Sequence, residues 1–241
     1  MEPVLLQEEP AGGVMLLTMN RPAQRNALDL ELTDALVAAF GELRAEPRWR
    51  CAILTGQAPA FCAGLDLKAF SAPDAPRNRV TEMIRALPTL GKPVIAAVNG
   101  AAYTGGLEMA LGCDFILASE AARFADTHAK IGALSGSGMG ARLPHAVGAR
   151  FARQMMLSCQ PIDAATALRA GLVNEVLPPE ALLPRAIDIA SAMAGHDAEL
   201  VAITRDVINR GSQATLAEAL LIETEALARR KAAGAMRWTG G

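Results

Sequence analysis

Several residue types and patterns are scarce in this sequence of 241 residues, and each scarcity argues against a class of function. The three histidines and four cysteines form no CxxC or HExxH spacing, so no metal site is expected. The 23 basic residues are balanced by 25 acidic residues without a basic stripe, which argues against a nucleic-acid partner. No apolar run approaches the roughly 20 residues of a membrane span, so no membrane partner is expected. The first ten residues carry three acids and no base, unlike a signal peptide, and the cytoplasm is the expected compartment.

What the sequence does contain is enough apolar material for one sizeable core. Hydrophobic residues make up 51% and charged residues 20%, as in globular proteins. Most of the cysteines lie in or beside apolar runs, and they are interpreted as reduced, mostly buried small hydrophobic residues. The length allows one domain, or one domain with a small appendage.

The hydrophobic pattern predicts an α/β core followed by a helical region. Apolar runs predict strands at 14–19, 51–55, 93–98 and 114–118. Helical spacing predicts a helix over 30–43, with Asp29 as its N-cap, and a second helix that ends near residue 90. Beyond about residue 140 the pattern is nearly all helical, apart from a strand at 172–177, and a long helix is predicted at 215–236.

The most informative stretch follows the strand at 93–98. Gly105 and Gly106 stand where a helix should begin, and Glu108 lies in its first turn. A helix N-terminus offers free N–H groups and partial positive charge, and glycine allows a ligand to come close to them. This arrangement suits binding of an oxyanion beside an acid or base. Alone, it is also compatible with a helix start whose Glu merely pairs with the helix dipole.

Two further segments narrow the interpretation. The three segments, in order, are 21–28 (RPAQRNAL), 60–68 (AFCAGLDLK) and 99–108 (NGAAYTGGLE). Together they resemble the signatures of the enoyl-CoA hydratase/isomerase, or crotonase, superfamily. The resemblance extends from about Val14 to Leu177 and is specific to the superfamily, though not to one reaction.

The resemblance implies a fold and an assembly. It implies a spiral of ββα turns, with C-terminal helices that pack on neighbouring copies to form a homotrimer, often paired into a hexamer. We accordingly expect an acyl-CoA-binding core over residues 1–185 and a helical region over residues 186–241.

The resemblance also implies a substrate and a set of site residues. The substrate is an acyl-CoA, and no separate cofactor is expected because coenzyme A is part of the substrate. By position, the backbone N–H groups of Leu65 and Gly105 would hold the thioester oxygen, and Glu108 would be the first catalytic glutamate. The residues at the family's CoA-contact positions are Arg25, Ala27, Ala63, Asp66, Leu67 and Lys68.

The sequence departs from the family at the second catalytic glutamate, where His128 stands. Imidazole can transfer a proton near neutral pH, since its unperturbed pKa is about 6.5. If residues 124–128 are extended, Asp126 lies on the same face and can fix the His128 tautomer. The alternative is a polar loop histidine beside an unrelated Asp. The favoured reaction is hydration of a trans-2-enoyl-CoA. Isomerisation or another enolate reaction that uses Glu108 alone, and acyl-CoA binding without catalysis, remain open.

A glycine-rich turn follows at Ser135–Gly140, and we expect Gly136 to line the acyl pocket. Its spacing also satisfies a relaxed dinucleotide-binding pattern. No good strand precedes it, however, and no acidic residue follows at the distance that a βαβ unit requires, so a dinucleotide site is not expected.

Overall fold

The computed structural model describes residues 2–234, which form ten strands and nine α-helices. The strands are β1 (Leu5–Ala11), β2 (Val14–Met19), β3 (Cys51–Gly56), β4 (Ala60–Cys62), β5 (Val94–Val98), β6 (Ala101–Tyr103), β7 (Phe115–Ser119), β8 (Arg123–Ala125), β9 (Ile162–Asp163) and β10 (Glu175–Leu177). The α-helices are α1 (Leu30–Ala45), α2 (Asn78–Ala86), α3 (Gly105–Gly112), α4 (Met139–Val147), α5 (Ala149–Ser158), α6 (Ala164–Arg169), α7 (Pro179–Ala194), α8 (Ala198–Gly211) and α9 (Leu216–Ala232). The α/β class expected from the sequence is confirmed.

The apolar strands predicted from the sequence form the larger sheet, in the order β1-β2-β3-β5-β7-β10. The pairs from β2 to β10 are parallel, and β1 alone pairs antiparallel. Strands covered on both faces read as continuous apolar runs, which is why the pattern located them. The last strand is shorter than predicted, because the Leu172 N–H bonds to Ala167 O in the turn that precedes it.

A second sheet consists of short strands that the hydrophobic pattern did not locate, in the order β4-β6-β8-β9. A strand of three residues is too short to show the alternation of apolar and polar residues that identifies a strand in a sequence. Each of β4, β6 and β8 follows a strand of the larger sheet, which gives the ββα repetition of the crotonase spiral. Because β4, β6 and β8 are parallel neighbours, their carboxyl ends meet at one edge.

Helices cover both faces of the larger sheet. The Asp29 carboxylate accepts the Leu32 N–H at 2.9 Å, which confirms the predicted N-cap of α1. On the opposite face, Leu182 and Ala190 of α7 pack against apolar strand residues such as Ile53. The domain boundary expected after residue 185 therefore lies within α7, whereas the compact units of the structure divide after Gly195.

The second unit contains α8 and α9. The side chains of Asp197 and Thr215 cap the two helices, and Thr215 forms a capping box with Glu218. The helix predicted at 215–236 is observed as far as Ala232, and Met236 lies outside the described residues. Within residues 2–234, no helix has the length and apolar character needed to cross a membrane.

Candidate active site

The first part of the site is the junction of β6 and α3. Helix α3 begins at Gly105, as predicted, and the first N–H of a helix has no partner within the helix. The next residue has to be glycine, since a Cβ at Gly106 would lie 2.1 Å from the carbonyl oxygen of Cys62. Glu108 follows in the first turn with only 3% of its surface exposed.

The second part is the segment after β4. Leu65 forms a parallel bridge with Leu28, in which Leu28 N–H bonds to Gly64 O and Asp66 N–H bonds to Leu28 O. In such a bridge the N–H of the central residue points to the opposite side, so the Leu65 N–H faces away from Leu28. Gly64 has φ +96°, and a Cβ there would lie 3.2 Å from the Gly105 nitrogen. The two segments that supply the expected oxyanion donors are therefore in direct contact.

A cavity of about 300 Å³ opens at this edge of the small sheet. Six of the residues expected at the site line it: Leu65, Leu67, Gly105, Glu108, His128 and Gly136. The remaining lining is largely apolar and includes Val80, Ile84, Ile131 and Leu134. A largely apolar cavity with a few polar groups is the usual form of a small-molecule site.

The Glu108 carboxylate is held by the turn that begins at Ser135. Its Oε1 atom accepts a hydrogen bond from the Ser135 hydroxyl and, at 3.3 Å each, from the N–H groups of Ser137 and Met139. Burial lowers the pKa of the Arg142 guanidinium, and the nearby Glu108 carboxylate opposes that shift. Glu108 is thus a buried, well-oriented acceptor close to a half-buried cation.

His128 pairs with Asp126, as expected, but not through an extended segment. Strand β8 ends at Ala125, and His128 has helical dihedral angles, φ −56° and ψ −47°. Instead, Asp126 Oδ1 accepts both the His128 backbone N–H at 3.1 Å and the His128 Nδ1 at 2.5 Å, in the manner of an Asx turn. Residues 124–128 are therefore not extended throughout, because this turn ends the strand after Ala125.

The surroundings of His128 favour its charged form. The hydrogen bond to Asp126 raises the pKa of His128 above 6.5; burial opposes this rise, and the negative charges of Asp126 and Glu108 add to it. Asp126 is itself almost fully buried. Because Nδ1 is hydrogen-bonded to Asp126, Nε2 is the ring nitrogen available for proton exchange with a molecule in the cavity.

The residues expected to contact coenzyme A lie on two segments, 25–27 and 63–68, which the Leu28–Leu65 bridge joins. Residues 63–68 are called the Leu65 arm below. Arg25 is exposed, and its carbonyl accepts the Ala63 N–H at 3.0 Å, while Ala27 is buried beside the Leu28 bridge. Lys68 is exposed on the turn that follows Leu65.

Asp66 takes part in the internal structure of this region. Its carboxylate pairs with Arg21 at 3.1 Å and accepts the Ala69 N–H, and Arg21 also binds Asp29 at 2.8 Å. Burial opposes ionisation of Asp66, but the Ala69 N–H and the Arg21 guanidinium bring its pKa below the usual value. Arg21 therefore joins the first and second sequence signatures, a link that sequence spacing alone does not show.

The polar site residues that the sequence reasoning missed include Thr104, Ser135 and Arg142. Thr104 lines the cavity and directly precedes Gly105, so its place before the two glycines was an available signal. Ser135 is the first residue of the glycine-rich turn that leads into α4, so its hydroxyl was also an available signal. Arg142 lies on α4, and no local pattern indicates that it approaches Glu108.

Comparison with known proteins agrees with this geometry. The sequence profile of the enoyl-CoA hydratase/isomerase family matches residues 9–236. A probable peroxisomal enoyl-CoA hydratase of Arabidopsis thaliana is 34% identical over 230 residues, which cover 93% of this chain and 85% of the relative.

Solved structures give the same result. An enoyl-CoA hydratase from Bacillus anthracis superposes with a TM-score of 0.88 at 33% identity, covering 93% of this chain and 89% of that one. A monofunctional enoyl-CoA isomerase from M. smegmatis superposes with a TM-score of 0.79 at 33% identity, covering 90% of this chain and 98% of that one. The fold is thus common to both kinds of enzyme, and the chain belongs to the enoyl-CoA hydratase/isomerase family.

Proposed function

We propose that this protein is an enoyl-CoA hydratase, which adds water across the double bond of a trans-2-enoyl-CoA. The observation that carries the proposal is one cavity lined by Glu108, by the Asp126-supported His128, and by the Leu65 and Gly105 segments. Relatives named as enoyl-CoA hydratases, at 34–37% identity over most of this chain, support the same reaction.

Each of these groups has its own role in the proposed reaction. Glu108 takes a proton from water, whose oxygen forms a bond to the β-carbon of the enoyl thioester. The electrons of the double bond move toward the thioester oxygen, where the N–H groups of Leu65 and Gly105 stabilise the enolate. The His128 imidazolium then gives a proton to the α-carbon. Transfer of the proton from Glu108 back to His128 through solvent restores the starting state, and the net change is the addition of one water.

The charges of the site suit this division. A protonated His128 opposite an ionised Glu108 is an attractive pair, whereas two ionised carboxylates in one small site repel each other. The raised pKa of His128 keeps the proton donor loaded at neutral pH. An Asp–His pair can therefore replace the proton-donating role of a second glutamate, but it cannot reproduce the carboxylate's negative charge.

Isomerisation would move a proton from one carbon to another, a task for which a single base is sufficient. Hydration needs one group to activate water and another to protonate carbon. Because the cavity presents two proton-transferring groups, we favour hydration over isomerisation and over binding without catalysis.

The substrate fits the lining of the cavity. The apolar side chains of Val80, Ile84 and Leu134 suit an acyl chain. Arg25 and Lys68 are exposed cations, the first on the segment that bonds to Ala63 and the second on the turn after Leu65, and both suit the phosphates of coenzyme A. Asp66 orders the Leu65 arm through its pair with Arg21.

Incubation of the purified protein with crotonyl-CoA, followed by mass spectrometry and NMR, tests the proposal. Hydration raises the mass by one water and forms the 3-hydroxyacyl-CoA. A product of unchanged mass with a shifted double bond would indicate an isomerase, and crotonyl-CoA recovered intact would indicate a binder.

The variant Glu108→Gln is the matched control for this assay. Glutamine keeps the shape of the side chain but cannot accept the proton, so we expect turnover to fall by about 100-fold or more while acyl-CoA binding stays within a few-fold. Activity close to that of the wild type would remove Glu108 from the mechanism.

The assembly and the compartment complete the proposal. Exposed leucines on α8 and α9 support self-association into a homotrimer or hexamer. Cys51 and Cys62 are buried free thiols, which supports a reducing compartment such as the cytoplasm.

A further inference from the structure

Thr104, between β6 and α3, has a backbone conformation that residues with a side chain seldom adopt. Its φ is +52° and its ψ is −111°, outside the small left-handed region open to L-residues. The residue is only 7% exposed and lines the cavity. A strained residue of this kind persists only where its surroundings hold it, and such residues concentrate at functional sites.

The bonds that hold Thr104 lead to the His128 turn. Its N–H donates to Ala125 O at 2.9 Å, at the end of the neighbouring strand β8. Its hydroxyl lies 2.5 Å from the hydroxyl of Thr127 and accepts the Thr127 N–H at 3.3 Å. One threonine precedes the oxyanion donor Gly105, and the other precedes the acid His128. The hydroxyl pair therefore joins the two segments that have to act on the same substrate.

Thr104 also lies against the segment that leads to Leu65, the second expected oxyanion donor. A Cβ at Gly64 would lie 3.0 Å from Tyr103 O, 3.2 Å from Gly105 N and 3.3 Å from Thr104 Cβ. The peptide that joins Thr104 to Gly105 is therefore packed directly on the segment that leads to Leu65. A rotation at Thr104 would change the direction of the Gly105 N–H, and oxyanion donors work only within about 2.7–3.1 Å of the developing charge.

We propose that the Thr104–Thr127 hydroxyl pair is a positioning clamp, which directs the Gly105 N–H at the thioester oxygen and fixes the His128 turn relative to it. The proposal rests on the function proposed above. The two threonines are positioning residues, since they act through Gly105 and His128. The clamp also explains why a threonine is tolerated where the backbone favours glycine: its side chain supplies the bonds that hold the conformation.

The test compares variants with and without the hydroxyl. Thr104→Val and Thr127→Val keep the branched shape and remove the bond, whereas Thr104→Ser and Thr127→Ser keep the bond. Steady-state hydration of crotonyl-CoA measures turnover. The absorption red shift of bound hexadienoyl-CoA measures how strongly the oxyanion donors polarise the thioester carbonyl, independently of turnover.

We expect each valine variant to lower kcat by about tenfold or more, with KM within about threefold, and to reduce the red shift. Each serine variant should stay close to the wild type. The double valine variant should be no worse than Thr104→Val, because Thr104→Val already removes both the hydroxyl pair and the acceptor of the Thr127 N–H. Thr104→Gly should keep or raise the melting temperature, since it relieves the backbone, and yet lose kcat.

Unchanged kcat and red shift in both valine variants would overturn the clamp, as would serine variants as impaired as the valine ones. If Thr104→Val does not fold, Thr127→Val decides, because it removes the same bond from outside the helix terminus. A wild-type protein that shifts the hexadienoyl-CoA spectrum but leaves crotonyl-CoA unhydrated would refute the proposed function, and the red shifts of the variants would still test the clamp.

Discussion

At the scale of single residues, the two groups proposed to transfer protons are held by different kinds of contact. Glu108 is fixed by donors from one turn, whereas His128 is fixed by a buried carboxylate two residues earlier in the chain. The difference matters because the bonds from the Ser135 turn orient the Glu108 carboxylate as an acceptor, whereas the bond to Asp126 favours the protonated form of His128. These contacts suit the opposite roles proposed for the two groups.

The role of His128 gives a prediction about pH. If its imidazolium protonates the substrate, the rate should fall as the pH rises through the His128 pKa, which Asp126 holds above 6.5. Asp126→Asn should move this limb of the kcat profile to lower pH, because the hydrogen bond and charge that raise the pKa are lost. His128→Ala should remove the limb and lower kcat by about 100-fold or more. An unaltered pH profile in His128→Ala would favour a reaction that uses Glu108 alone.

A second prediction concerns Ser135, whose hydroxyl donates to Glu108 Oε1 and accepts the Met139 N–H at 3.1 Å. Ser135→Ala removes the hydroxyl that orients the Glu108 carboxylate, and this loss of positioning should lower kcat by about tenfold or more. Ser137→Ala is the matched control, since Ser137 bonds to Glu108 through its backbone N–H, which the substitution retains. Equal losses in both variants would show that the Ser135 hydroxyl is not the cause.

At the scale of elements, the active site depends on how closely α3 packs against β4. A methyl group at position 106 would meet the backbone of Cys62, which cannot move without displacing β4. Gly106→Ala should therefore destabilise the protein by at least about 2 kcal/mol, measured by denaturant unfolding.

Gly41→Ala is the control for this substitution. Gly41 lies within α1, and a Cβ there would meet nothing within 4 Å. Alanine favours a helix over glycine, so this variant should be more stable by about 0.5–1 kcal/mol. A neutral Gly106→Ala would mean that α3 and β4 are less tightly packed than the structure shows.

At the scale of the whole molecule, the helices α8 and α9 leave apolar side chains uncovered. In α9, Leu216 is 78%, Leu220 55% and Leu221 62% exposed. Apolar residues clustered in this way mark an interaction surface. Leu220→Glu should therefore shift a trimer or hexamer toward monomer in analytical ultracentrifugation, because a carboxylate cannot be buried unpaired between subunits.

Val37→Glu on α1 is the control for Leu220→Glu, because it also replaces an exposed apolar side chain with a carboxylate. Val37 is similarly exposed, at 45%, but lies on a helix of the core unit. Scattered exposed apolar residues are normal, so this variant should assemble like the wild type. A wild-type chain that sediments as a monomer at micromolar concentration would contradict the assembly outright.

The sequence by itself determined the long elements and the start of α3. Strands buried on both faces, such as β3 and β5, are continuous apolar runs, and Asp29 marks the start of α1 through its own local bond. Gly105 and Gly106 indicated the start of α3, and Glu108 indicated the carboxylate in its first turn, because all three lie within four consecutive residues. Information of this kind is local, so a single sequence can reveal it.

Only the tertiary structure decided what these elements bring together. The three-residue strands β4, β6 and β8 have no period of their own, yet their parallel pairing places the Leu65, Gly105 and His128 segments at one edge. The Ser135 bond to Glu108 spans 27 residues, and the Thr104–Thr127 bond spans 23. Such contacts depend on distances through space between segments remote in sequence, and no local pattern of residues records those distances.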